Sequence, residues 1–327
     1  MKSVMHTVPE VIEKIEAGQR LLLAGDESQL GQLPRGEWIG GTIPYFMAEG
    51  GGLFSRDRIF VTEVPAYVSK VEIATYDADT IQRIYADAPE HGLTVAIMPA
   101  SSATHLSFAL GAPSFKKFAS QPVVGWVSGV FLSDLGKVKP KVFDGRSAKG
   151  HEQDAVVMRM ILPSNRIAEI GILNIFEQSS GDAITFAQDG FSVQEAFVNG
   201  ERVDFAEYVT RSKLDLRLPL VADYYGAMVN ISFQAVGERE VKFYAPVFKG
   251  ITYRQAKPIK DYVAQFTSQI PEGAERITFS CNCILNYLYS ELEGKRTADI
   301  TGPITFGEVA YQLLNQTMVY ATITEVD

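Results

Sequence analysis

The run Ala196-Phe197-Val198-Asn199-Gly200-Glu201-Arg202-Val203 sets Asn-Gly between two apolar segments. Both residues reach positive φ at little cost, so the pair closes a tight antiparallel hairpin. A chain with such a hairpin in its sheets is not a purely parallel, doubly wound protein, whose strands join only through long crossovers. A second hairpin is expected where apolar runs at 228–236 and 241–247 flank Gly237-Glu238.

Short apolar runs at 21–24, 59–64, 93–98, 123–127, 138–143, 155–162, 168–176, 277–283 and 318–323 read as further strands. Between them lie helical patterns. The clearest covers 8–17, with Val8, Val11, Ile12 and Ile15 at helical spacing and Gly18 as its stop. Others are expected at 78–86, at 102–118 (interrupted at Gly111 and Pro113), at 204–213, at 253–270 with a kink at Pro258, and near 285–292. Strands alternating with helices, but interrupted by hairpins, predict an α/β fold of the mixed α+β kind: two packed halves of mixed β-sheets covered by helices. Gln178-Ser179-Ser180-Gly181 interrupts two strand groups and places a soft boundary within 177–190, giving halves 1–180 and 181–327.

Composition narrows the class of partner. The 327 residues are 46% hydrophobic and 21% charged, enough apolar material for a large core. Thirty-nine acidic against 30 basic residues leave a net charge of −9. That balance disfavours nucleic acid and anionic membrane, which call for clustered Lys and Arg. The first residues lack the apolar core of a signal peptide, and no window approaches the roughly 18–20 apolar residues of a membrane span. Two cysteines, Cys281 and Cys283, stand one residue apart, where a bridge would be strained. A reducing, cytoplasmic setting is expected.

Signatures of catalysis are sparse. The sequence has no GxSxG elbow, no P-loop and no glycine fingerprint opening a helix after a strand. The four histidines, His6, His91, His105 and His151, form no metal-ligand spacing. His105 follows Pro99-Ala100-Ser101-Ser102-Ala103-Thr104 at a helix start, where backbone N–H groups and hydroxyls gather. It is read either as a ligand-contacting histidine or as a helix-surface residue beside ordinary caps. Cys281 is either a small buried hydrophobe or, given a nearby base, a nucleophile.

Three glycine-bearing segments recur faintly: Trp38-Ile39-Gly40-Gly41-Thr42-Ile43-Pro44-Tyr45-Phe46, Val123-Val124-Gly125-Trp126-Val127-Ser128-Gly129-Val130-Phe131 and Thr301-Gly302-Pro303-Ile304-Thr305-Phe306-Gly307-Glu308. A pocket is expected where such glycine-ended strands meet, since glycine lets backbone approach a ligand closely.

The last of these segments, with Val309 and the following Asn315-Gln316-Thr317, resembles the C-terminal signature of FIST domains. That signature is Gly-x-x-(Ser/Thr)-x-Gly-Glu-(Ile/Val), then His-Asn-x-Thr at the entry to a final strand. The match is clear over 277–323, extends with Leu218-Pro219-Leu220-Val221 to about 215, and is weak over the N-terminal half. The family's histidine stands here as Leu314, so a ligand role for it does not carry over. The resemblance implies a stand-alone sensory protein that binds a small ligand and signals to a separate partner, with haem as one ligand seen in related sensors. Thr305, Glu308 and Asn315 are then expected at the ligand, with Trp126, Ser128 and His105 from the first half and the Cys281 thiol beside them. The competing expectation is a hydrolase or transferase that uses Cys281 or a serine, with His105 as base.

Overall fold

A computed structural model describes residues 4–224, 227–270 and 277–326. The chain is mixed α/β and dominated by strands, with 42% of residues in strands and 16% in helices. The Asn199-Gly200 hairpin forms as its chemistry requires. Glu195–Val198 pairs antiparallel with Glu201–Asp204, and both turn residues have positive φ, 51° and 89°. The second expected hairpin also forms between Phe233–Val236 and Val241–Val247, but Ala227–Ile231 turns away to pair with Leu220–Tyr224.

Five sheets result. Three of them position the region of interest. The first contains the parallel pair Leu21–Gly25 and Trp38–Thr42. The second is built on the parallel pair Gly92–Pro99 and Val123–Ser128, joined through the Ala103–Gly111 helix. The third is ordered Arg166–Leu173, Met318–Glu325, Ile277–Cys283, Gly302–Thr305, Tyr45–Ala48, Gly51–Phe54. The second and third sheets each take strands from both ends of the chain, so 1–180 and 181–327 do not occupy separate sheets. One buried cluster of apolar side chains runs from Leu22 to Ile323.

The expected helical cover is thinner than the sequence pattern suggested. Six α-helices occur among the described residues, and the longest, Val8–Glu16 and Ala103–Gly111, have nine residues each. The interruption expected at Gly111 and Pro113 forms: the helix ends at Gly111, and Ala112–Ser114 is a single 3-10 turn around Pro113. Proline accounts for one difference. The 253–270 pattern splits before and after Pro258: Tyr253–Gln255 is a strand paired with Leu220–Ala222, and the helix is only Tyr262–Ser268. Where long helices were expected, sheets pack on sheets instead, the first on the second and the second on the third.

The terminal signature is the link between sheets. Gly302–Thr305 lies in the third sheet, the chain crosses so that Glu308–Ala310 and Gln312–Leu314 form a hairpin at the edge of the second, and Met318–Glu325 returns to the third. Gly302 is required by closeness rather than by φ: a Cβ there would sit 2.3 Å from the Ser280 carbonyl oxygen.

The three glycine-bearing segments do come together. Gly129 N–H donates to Thr42 O at 2.7 Å, Phe306 N–H to Val127 O at 3.0 Å, and Val127 N–H to Gly307 O at 2.8 Å. The hydrogens of Gly41 and Gly129 admit the Trp126 indole and the Phe306 ring respectively. Their meeting point is packed core; the open space lies beside it.

Candidate functional site

The sheet crossing encloses a carboxyl group. Glu308 is fully buried and stands opposite Trp126 on one side and Leu314 on the other. Thr317 donates to its Oε2 from Oγ1 at 2.9 Å and from the backbone at 3.4 Å, and Thr305 Oγ1 lies 3.5 Å from Oε1. The Cys283 thiol also bonds to it. Burial without a cation pushes the Glu308 carboxyl up to about 8, and the hydrogen bonds from Thr317, Cys283 and Thr305 only partly offset that rise. The group is therefore mostly neutral at pH 7 and bridges the start and the end of the crossing.

Cys281 and Cys283 follow the same logic. Their side chains share one face of Ile277–Cys283 and are both buried. Burial, with Glu308 close by, pushes both thiols well above their usual range. Cys281 donates to the Gly125 carbonyl at 3.3 Å and behaves as a core thiol.

Next to this carboxyl lies a second polar group. Asn315 accepts at Oδ1 from Ser232 Oγ at 2.8 Å, and Asn230 Nδ2 reaches the carbonyls of Asn315 and Gln316 at 3.3 and 3.1 Å. Asn174 and Asn230 exchange bonds at 2.9 and 3.0 Å. On the other side, Asn286 Nδ2 donates to Asn282 Oδ1 at 2.9 Å and approaches Thr317 O at 3.4 Å. Asn315 Nδ2, Asn286 Oδ1, Ser128 Oγ and the Trp126 indole N–H are buried without a partner among the described residues.

The open space is a cleft of about 640 Å³ between the N-terminus of the Ala103–Gly111 helix, the 132–140 loop, the Phe233–Val236/Val241–Val247 hairpin and the Ile284–Tyr289 helix. A volume of this size suits a small organic ligand. Its walls are largely apolar, and Phe306, the residue between Thr305 and Gly307, forms part of them. Several large apolar side chains around it are exposed: Leu106, Leu135, Val138, Tyr244 and Leu288.

His105 lies in the cleft wall and is only 7% exposed. Its backbone N–H is capped by Ser102 Oγ at 3.1 Å, and its Nδ1 accepts from Ser101 N–H at 3.1 Å. Accepting at Nδ1 assigns the ring proton to Nε2. No partner for Nε2 is present among the described residues. Burial lowers the imidazole to about 4, so the ring is neutral at pH 7 and offers an N–H rather than a basic nitrogen.

A neighbouring cleft of about 540 Å³, on the other side of the 129–139 segment, carries several charged side chains on a partly apolar lining. Its charges are already matched, with Arg56 on Asp26 at 2.8 Å and Asp134 at 3.1 Å. No group of three or more His, Cys, Asp or Glu side chains arranged for a metal occurs among the described residues.

Of the seven residues singled out from sequence, Trp126, Cys281, Thr305 and Glu308 gather between the second and third sheets. Asn315 sits in the adjoining amide network, and Ser128 faces Gly41 in the core. Only His105 lines the cleft. Sequence reasoning named Thr317 and Cys283 without tying them to Glu308, which they hold, and passed over Phe306, Gln153 and Leu288, which shape the cleft. Thr317 and Phe306 carried a signal, since both lie inside the segments that were singled out. Gln153 and Leu288 carried none.

A family of unknown function, DUF6976, matches residues 6–324, and the chain belongs to it. Comparison with curated proteins finds no match.

Proposed function

We propose that this DUF6976 chain is a FIST-like sensory protein that binds one small ligand in the His105 cleft and hands a conformational state to a separate partner. The observation that carries the reading is His105: a neutral imidazole, nearly enclosed, with Nδ1 occupied and its Nε2–H unpartnered in the wall of an apolar cleft. A donor held in a nearly enclosed ring and open to the cleft is placed to meet an acceptor on a ligand.

A route for the signal is also present. The Ile284–Tyr289 helix turns Ile284, Leu285 and Leu288 to the cleft and Asn286 to the amide network around Thr317, which holds Glu308. A ligand that packs better against one position of this helix would shift the population by its differential affinity, and by no more.

The same proposal includes two packed halves as a FIST-like duplication, with the short helices lying over them. It also carries a cytoplasmic setting and partners other than nucleic acid or anionic membrane, in keeping with the net charge of −9. A hydrolase using Cys281 and His105 has less support. The thiol is buried and held protonated, and the imidazole is too weak a base at neutral pH to activate it.

Native mass spectrometry of the purified chain tests the reading. A co-purifying small molecule is expected, released on denaturation and depleted in Leu135→Glu. Absence of any bound molecule, together with no thermal stabilisation across a metabolite panel, would sink it.

A further inference from the structure

We infer that the His105 cleft takes an amphipathic carboxylic acid, its carboxylate at the N-terminus of the Ala103–Gly111 helix and its apolar body along Leu106, Leu285, Leu288 and Phe306. The inference rests on that cleft being the ligand site.

The polar end of the cleft offers donors. His105 Nδ1 is filled by Ser101 N–H, which leaves Nε2–H as a donor. Ser102 Oγ already accepts from His105 N–H, so its hydroxyl proton is free to be given. Gln153 Oε1 accepts from Ala103 N–H at 3.3 Å, which orients its NH2 group as the available end. Lys137 and Lys139 stand in the same lining, and the one carboxylate there, Glu152, is paired with Lys139 at 3.3 Å and Lys141 at 3.5 Å. Donors converging on a nine-residue helix N-terminus, with cations nearby, suit an anion. A nearly enclosed, unpartnered His105 Nε2–H is the second and independent pointer to an acceptor on the ligand.

The rest of the cleft favours an apolar body over a compact polar anion such as phosphate. Beyond the helix its walls are mainly apolar, with Lys137, Lys139, Glu152 and Gln234 among them, and Leu135 and Leu288, 52% and 39% exposed, extend the apolar surface to the rim. Apolar surface left open at a cleft mouth gains only from an apolar body.

Isothermal titration of the purified full chain with hexanoate, octanoate, decanoate, decan-1-ol and decylamine, all below their micellar concentrations, tests this. Affinity is expected to rise about fourfold for each added CH2 from hexanoate to decanoate. Decanoate is expected to bind at least tenfold more tightly than decan-1-ol or decylamine. Leu135→Glu and Leu288→Glu, at exposed positions that spare the core, should each weaken decanoate tenfold or more. His105→Gln should narrow the margin of decanoate over decan-1-ol, which a purely structural role for the ring would leave unchanged. Decylamine or decan-1-ol binding as tightly as decanoate, yet weakened by the rim variants, overturns the carboxylate and keeps the cleft. No saturable binding by any probe, or binding indifferent to both rim variants, overturns the inference and the cleft reading together.

Discussion

Glu308 and His105 are buried titratable residues whose protonation opposes their ordinary behaviour, and they give stability opposite slopes with pH. The Glu308 carboxyl rises to about 8 in the folded chain from an ordinary 4.5. Between those values the native state holds a proton that the unfolded chain has lost, so stability is complete below about 4.5 and is lost as pH rises through 8. Fully expressed, the penalty is on the order of 5 kcal/mol. Glu308→Gln keeps the shape of the neutral acid and cannot ionise. Its urea stability is expected to be nearly flat from pH 6 to 9 while the parent chain declines, and parallel slopes would show that Glu308 does not titrate as described. For His105 the sign reverses. Its imidazole falls to about 4 from 6.5, so the unfolded chain binds the extra proton in that window and stability is lost as pH falls through it. His105→Gln should flatten the acid limb and leave the alkaline one in place; a variant with an unchanged acid limb would refute the assignment.

At the level of elements, the sheet crossing depends on close backbone approach at Gly302. An alanine Cβ there would lie 2.3 Å from Ser280 O, a rigid neighbour, and could be relieved only by parting Ile277–Cys283 from Gly302–Thr305. Gly302→Ala is expected to cost about 3 kcal/mol or more, in the range of severe core disruption. Gly50→Ala, where a Cβ meets nothing within 4 Å, should stay within about 1 kcal/mol. Equal urea midpoints for the two variants would contradict the crossing as described. This element also shows what the sequence made legible. Asn199-Gly200 announced its hairpin because local φ preference decides a tight turn, and Val8, Val11 and Ile15 announced their helix through spacing alone. The 253–270 pattern reads as helical because the Tyr253–Gln255 strand exists by pairing with Leu220–Ala222 and Ile184, more than thirty positions earlier in the chain. The Gly302–Glu308 segment stands out in the sequence, yet of its residues only Phe306 borders the cleft, and the others line a closed junction. Which of them border open space depended on Leu288, Gln153 and the hairpin beyond, brought in by tertiary packing that no local pattern encodes.

For the whole molecule the shared sheets predict that neither half folds without the other. The third sheet inserts Tyr45–Ala48 beside Gly302–Thr305 and places Arg166–Leu173 on Met318–Glu325. The second sheet ends in Glu308–Ala310 against Val123–Ser128. Cutting between 180 and 181 strips the N-terminal half of the strands that cover its central sheet, and it deprives Ile277–Cys283 and its neighbours of their outer strands. Edge strands opened in this way are apolar and buried in the intact chain, so they would favour association over folding. Fragments 1–180 and 181–327 expressed separately are expected to be aggregated or to lack cooperative thermal unfolding by circular dichroism. Co-expressed, they should recover a single transition and the decanoate response of the intact chain. A cooperative, monomeric 1–180 fragment would mean that the shared sheets are a docking of two finished domains. In that case a ligand in the His105 cleft, whose walls come from both halves, would sit between two domains. With shared sheets, helix Ile284–Tyr289 cannot move at the cleft without also moving strands drawn from both ends of the chain, and this is the physical basis on which a binding event at His105 could be read from the opposite face of the molecule.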